Sequence, residues 1–106
     1  MIDHAIPTIE AVRTAQERIT GEVLRTPLVR LNVEDVPSEI YLKLENLQPV
    51  GSFKLRGATS AVRLIPEAEM EQGVWTVSAG NMAQGLSWAA RRLGVNCIAV
   101  VPENAP

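Results

Sequence analysis

The chain has 106 residues, a length that suits one small domain or a piece of something larger. It is 46% hydrophobic and 21% charged, so a packed core is expected rather than disorder. The formal charge of −2 gives no basic face for nucleic acid, and no apolar run approaches the roughly 20 residues that span a bilayer. The opening "MIDHAIPTIEAV" has no basic region ahead of an apolar stretch, so no signal peptide is expected. These features describe a cytoplasmic chain. Cys97 is the only cysteine and cannot form an internal disulfide; within "NCIAVV" it reads as a small buried hydrophobe. His4 and Cys97, far apart, make no zinc site, and no metal is expected.

In chain order, "PTIEAVRTAQERITG" predicts a helix, with Thr8 as its N-cap and Ile9, Val12, Ala15 and Ile19 at helical spacing. Gly21 offers the left-handed residue to end it. "TPLVRL" (26–31) predicts a short extended piece, because Pro27 disfavours helix in the residue before it. "PSEIYLKLEN" (37–46) alternates Ile40, Leu42 and Leu44 against Tyr41, Lys43 and Glu45, predicting a strand with one drier face. After the turn "LQPVG", Ser52 is expected to cap a helix burying Leu55, Ala58, Val62 and Ile65, with Pro66 helping to close it. "VWTVS" (74–78) predicts a strand, Asn81 to Arg92 a helix stopped by Gly94, and "NCIAVVP" (96–102) a strand covered on both faces. Strand, helix and strand with short connections predict a parallel βαβ unit. The closing "PENAP" follows a buried-type strand, and so few strands leave sheet edges unpaired. The chain is therefore expected to be the amino-terminal part of a longer protein.

Two stretches carry chemical promise. In "GSFKLRGA" (51–58) and "SAGNMAQG" (78–85), small residues lead directly into an expected helix. Helix N-termini present unpaired N–H groups and partial positive charge, which suit carboxylates and phosphates. Two ordinary capped helices with glycine turns would show the same pattern. Lys54 is the chemically interesting residue. To stand half neutral at pH 7, a lysine amine must be destabilised as a cation by about 4.6 kcal/mol. A helix N-terminus contributes about 0.3–1 kcal/mol, or ~2 when partly buried. Burial, or condensation of the amine with a carbonyl cofactor, would have to do the rest.

"KLENLQPVGSFKLRGA" followed by "VSAGNMAQGLSWAARRLG" resembles the fold type II pyridoxal-phosphate enzymes, most of all the serine/threonine dehydratase branch that includes serine racemase. The likeness runs from "RTPL" at 25–28 to "VVPENAP" at the end, with two separate motifs in the right order. It implies an α/β fold of parallel-sheet βαβ units, like the β subunit of tryptophan synthase but incomplete. Residues 1–73 would begin the large cofactor-binding domain, and 74–106 the smaller, mobile α/β domain. The cofactor implied is pyridoxal 5'-phosphate, with Lys54 forming the Schiff base and later removing the α-proton of the substrate. Phe53 would flank the pyridine ring, and Asn81 would hydrogen-bond the phenolic oxygen. Ser78, Ala79, Gly80, Asn81 and Gln84 would form the loop that receives the substrate carboxylate.

The activity implied is elimination of water from L-serine or L-threonine by a homo-oligomeric enzyme, giving ammonia and a 2-oxo acid. Two departures from the family pattern stand out. Met82 occupies the place of a usual histidine, and a thioether cannot make that residue's polar contacts. Ala79 stands where racemases of the family carry a serine acid/base, which disfavours racemisation. "GSFKLRG" also separates the chain from the cysteine-synthase branch. The seven glycines are dispersed, so no clustered loop cradles the cofactor phosphate, and that loop is expected later in the full-length protein. The competing expectation is a non-catalytic fragment or interaction module.

Overall fold

A computed structural model describes residues 6–106, so the expectation concerning His4 lies outside the described residues. Helix α1, Ile9–Ile19, begins where the Thr8 hydroxyl accepts the Ala11 N–H at 3.1 Å, as the N-cap pattern requires. It ends before Thr20, with Gly21 in the following turn.

Strands β1 (Leu28–Arg30) and β2 (Tyr41–Lys43) pair antiparallel, with Val29 opposite Leu42. The strand expected over 37–46 is thus much shorter, and its drier face is absent. Ile40 and Leu42 are each 39% exposed, and of that apolar set only Leu44 is half-buried. Nothing among the described residues packs over this two-stranded ladder, so alternation of side chains has no core to face. Main-chain bonds from Leu31 to Ile40 and from Leu44 to Pro27, at 2.8 and 3.0 Å, mark where the ladder stops.

Helix α2, Lys54–Val62, follows a short 3-10 turn at Glu45–Leu47 and a turn closed by the Gly51 N–H donating to the Gln48 carbonyl at 2.7 Å. Gly51 has φ 70°, a conformation that glycine adopts without steric cost. The expected Ser52 cap is not formed. Phe53 is the N-cap, already helical in its dihedrals, and the buried Ser52 hydroxyl has no partner among the described residues. Leu55, Ala58 and Val62 are buried as expected, but α2 ends before Ile65. A further short helix, α3 (Glu67–Met70), starts at Pro66, which opens that helix as well as closing the turn before it.

Strand β3 (Val74–Val77), helix α4 (Asn81–Leu93) and strand β4 (Cys97–Val100) form the expected βαβ unit. The two strands are parallel, in register from Val74 opposite Cys97 to Val77 opposite Val100. Gly94 closes α4 in the left-handed conformation, as its position predicts. The core lies between α2 and α4: Ala58 and Val62 meet Leu86, Ala89 and Ala90, with Val95 at the end of α4. Alanines at this seam let the two helix axes approach closely. Strand β4, expected to be covered on both faces, is covered only in part on one, at Cys97, while Ile98, Ala99 and Val100 are exposed. Val74 and Cys97 pack against the core, whereas Trp75, Val77 and Ile98 point away and are exposed. The fold is therefore α/β with one small parallel sheet and one antiparallel pair.

Candidate active site

Lys54 is the first residue of α2, and Phe53, just before it, is 60% exposed. The lysine Nζ lies 5.1 Å from the centre of the Phe53 ring. No carboxylate among the described residues forms an ion pair with it. A pocket of about 280 Å³ opens here, lined by Phe53, Lys54, Arg56, Gly57, Ala58 and Met82. An unpaired amine beside an exposed flat ring suits a carbonyl-bearing aromatic ligand.

Asn81 begins α4, so the start of α4 comes to the start of α2, with Met82 sharing the pocket with Lys54. Ser78, Ala79 and Gly80 make the turn from β3 into α4. There the Gly80 N–H donates to the Ser78 hydroxyl at 3.2 Å, and the Gln84 N–H donates to the Gly80 carbonyl at 3.3 Å. This loop stands next to the pocket in sequence but does not line it. Asn81 and Gln84 are exposed, and Gly80 offers no side-chain cap. The structure thus brings Lys54, Phe53 and Met82 around one cavity and places the other expected residues on the adjoining turn.

A polar network that the sequence reading missed holds this arrangement. The Glu45 carboxylate receives the Thr26 hydroxyl at 2.6 Å, the Gln48 amide at 3.2 Å, and two guanidinium bonds from Arg56 at 2.9 and 2.8 Å. Gln48 also bonds both main-chain groups of Leu24, and Arg56 reaches the Leu24 carbonyl. The Lys43 ammonium donates to the Thr26 carbonyl. The Arg56 hydrogen bonds, helped by those from Thr26 and Gln48, outweigh burial and hold the Glu45 carboxyl down at about 2. Arg56 lies two residues beyond Lys54, so the network anchors the first turn of α2. The signal in the sequence was a set of polar residues, Glu45, Asn46 and Gln48, interleaved with Leu44, Leu47 and Val50.

A second junction joins the far ends of the helices. Glu22 accepts from Arg63 at 2.7 Å and from Arg92 at 3.2 Å. The Arg92 hydrogen bond, then that of Arg63, holds its carboxyl below the usual range. Among the described residues no group of His, Cys, Asp and Glu could hold a metal, and no helix is long and apolar enough to cross a membrane.

A lysine at a helix start, an aromatic beside it and a second helix-opening loop come together on an α/β frame, and the family follows from direct comparison. The description "Pyridoxal-phosphate dependent enzyme" matches residues 19–106, and the chain belongs to that family. Its relatives place it in the serine/threonine dehydratase branch of fold type II. It is 41% identical over 104 residues to the serine racemase of Dictyostelium discoideum, covering 96% of this chain and 32% of that protein. It is 44% identical over 101 residues to the L-threonine ammonia-lyase of Thermotoga maritima, covering 93% and 25%. The crystal structure of the Dictyostelium serine racemase superposes with a TM-score of 0.89 at 41% identity, over 96% of this chain and 34% of that one. The chain thus spans about a third or less of the length of the curated relatives it matches. The family's cofactor is pyridoxal 5'-phosphate. The residues around Lys54 fit its aldehyde and ring: an unpaired amine, an exposed aromatic face and the unpartnered, buried Ser52 hydroxyl lie within three consecutive residues.

Proposed function

We propose that the protein carrying this chain eliminates water from a hydroxy amino acid, L-threonine or L-serine, giving ammonia and a 2-oxo acid. The observation that carries this reading is Lys54, unpaired at the start of α2 beside Phe53 and against the first turn of α4. Bound there, the cofactor would supply an electron sink for the pair left at the substrate α-carbon. Lys54 would hold the cofactor through its amine, and Nζ, when free, would take the α-proton of the substrate. Phe53 forms one wall of the ring site. Asn81 would supply an amide donor toward the cofactor's phenolic oxygen, and Ser78, Ala79, Gly80, Asn81 and Gln84 would receive the substrate carboxylate. The β-hydroxyl leaves with a proton as water; water then adds back as the bound product is released, so substrate gives one 2-oxo acid and one ammonia.

Racemisation is the second reading, since serine racemase is among the relatives. Ala79 weighs against it, because a methyl group has no proton to deliver to the opposite face of the substrate. In the same reading, residues 1–73 begin the large domain and 74–106 the smaller mobile one, and the full-length protein is a homo-oligomer in the cytoplasm. The test uses the full-length protein. Borohydride should fix the cofactor's mass on the peptide containing Lys54, and Lys54→Ala should abolish 2-oxo acid formation without loss of fold. Normal turnover by that variant would refute the assignment.

A further inference from the structure

Helix α4 passes α2 so closely at Gly85 that a side chain there would crowd the α2 backbone. A Cβ on Gly85 would stand 3.2 Å from the Lys54 carbonyl carbon, 3.3 Å from the Leu55 nitrogen and 3.3 Å from the Lys54 carbonyl oxygen. All three are main-chain atoms in the first turn of α2, so no flexible side-chain end can swing aside. The backbone conformation of Gly85 is not the constraint, because it lies in the body of α4 and has no positive φ. Glycine inside a helix is less stable than alanine by about 0.5–1 kcal/mol, so helix formation alone favours a methyl group here. Gly57, the glycine inside α2, meets nothing within 4 Å of an added Cβ. The close approach belongs to Gly85 and falls on the peptide that carries the candidate amine.

We propose that Gly85 is a positioning residue for Lys54. By letting α4 rest on the Lys54–Leu55 peptide, it sets where α2 begins and where the amine stands relative to Phe53, Met82 and Asn81. The Glu45–Arg56 network holds the same turn through Arg56. Gly85 adds a restraint on that turn from the α4 side. The proposal rests on the reading of Lys54 as the cofactor lysine.

The experiment compares unsubstituted full-length protein, Gly85→Ala and Ser87→Ala, each loaded with pyridoxal phosphate. Ser87 lies on the exposed side of α4 and serves as the control. Gly85→Ala must displace the Lys54 peptide by a few tenths of an ångström, and turnover should fall about tenfold. The pH midpoint of the bound cofactor's visible band should move, and borohydride labelling of Lys54 should slow. The unfolding midpoint of the cofactor-free variant should stay within about 5 °C, because gained helix propensity opposes the crowding. Ser87→Ala should match the unsubstituted protein throughout. An unchanged band and labelling rate in Gly85→Ala would overturn the proposal, even if stability fell. If that variant does not fold, hydrogen exchange on the unsubstituted protein decides. Residues 53–60 should be equally protected with and without cofactor, and exchange about tenfold faster without it would overturn the proposal. Absence of Lys54 labelling in the unsubstituted protein would remove the underlying reading as well, so the two failures are distinct.

Discussion

In the proposed reading Ala79 and Lys54 would act on opposite faces of the substrate, and their chemistry separates elimination from racemisation. Proton delivery by a positioned general acid is typically worth about 10²–10⁴ in rate, or roughly 3–5 kcal/mol of barrier. With a methyl group at 79, loss of the β-hydroxyl should outrun reprotonation on the wrong face. L-serine should therefore give pyruvate and ammonia in large excess over D-serine, and Ala79→Ser should raise the D-serine share. Chiral chromatography beside a 2-oxo acid assay measures both, and abundant D-serine from the unsubstituted enzyme would defeat the argument. In the proposed reading Met82 would bear on substrate choice. It lines the pocket with Lys54, so its thioether presents an apolar wall where a histidine would present a polar one. Lys54, Phe53 and Asn81 could be singled out from their motifs. Gly85 lies in the same motif, but its reason to be glycine appears only when α2 is laid against α4.

At the scale of elements, Glu45 shows how a loop fixes a helix. Its carboxylate, in a side chain only 15% exposed, ties the 3-10 turn to α2 through Arg56 and to the segment before β1 through Thr26. The carboxyl lies at about 2 in the folded chain against an ordinary 4.5, so folding favours the ionised form. The stability this contributes is fully present above about pH 4.5 and is lost as pH falls from there toward about 2. It amounts to roughly 3 kcal/mol at most. Glu45→Gln should flatten the acid limb of stability in that window and lower stability at pH 7 by about 1–3 kcal/mol, because Arg56 loses its counter-charge. Urea midpoints across pH measure this, and an unaltered acid limb would contradict it. Helical spacing announced α1, α2 and α4; α2 and α4 bury a stripe that recurs every three or four residues, whereas α1 buries only Ile19 and leaves Ile9 and Val12 exposed. The strand at 37–46 was overread, since alternation signals a strand only where a core lies on one side. Helix α3 was missed because four residues are too few to show a period.

Over the whole molecule, the uncovered sheet face is the main unfinished surface. Trp75 and Val77 on β3 stand opposite Ile98 and Val100 on β4, and all four are exposed. A contiguous apolar patch of this kind is a site for association. The 106-residue chain by itself should bind a hydrophobic dye and elute from gel filtration in a concentration-dependent way, and Trp75→Lys should weaken both effects. In the full-length protein, Trp75 fluorescence should resist a soluble quencher; equal quenching in the two proteins would show that the face stays bare.

By itself the sequence determined the order of the main elements, the parallel pairing of β3 with β4, and the family with its candidate lysine. Those depend on local periodicity, turn residues and motif spacing, all written along the chain. Tertiary structure alone decided that Glu45 and Arg56 share a network, that Met82 joins Lys54 at one pocket, and that α4 rests on the Lys54 peptide at Gly85. Those contacts join residues 11 to 31 positions apart. The two that involve α4 depend on how α2 and α4 bury their common alanine seam, and Glu45–Arg56 on how the 3-10 turn lies against α2.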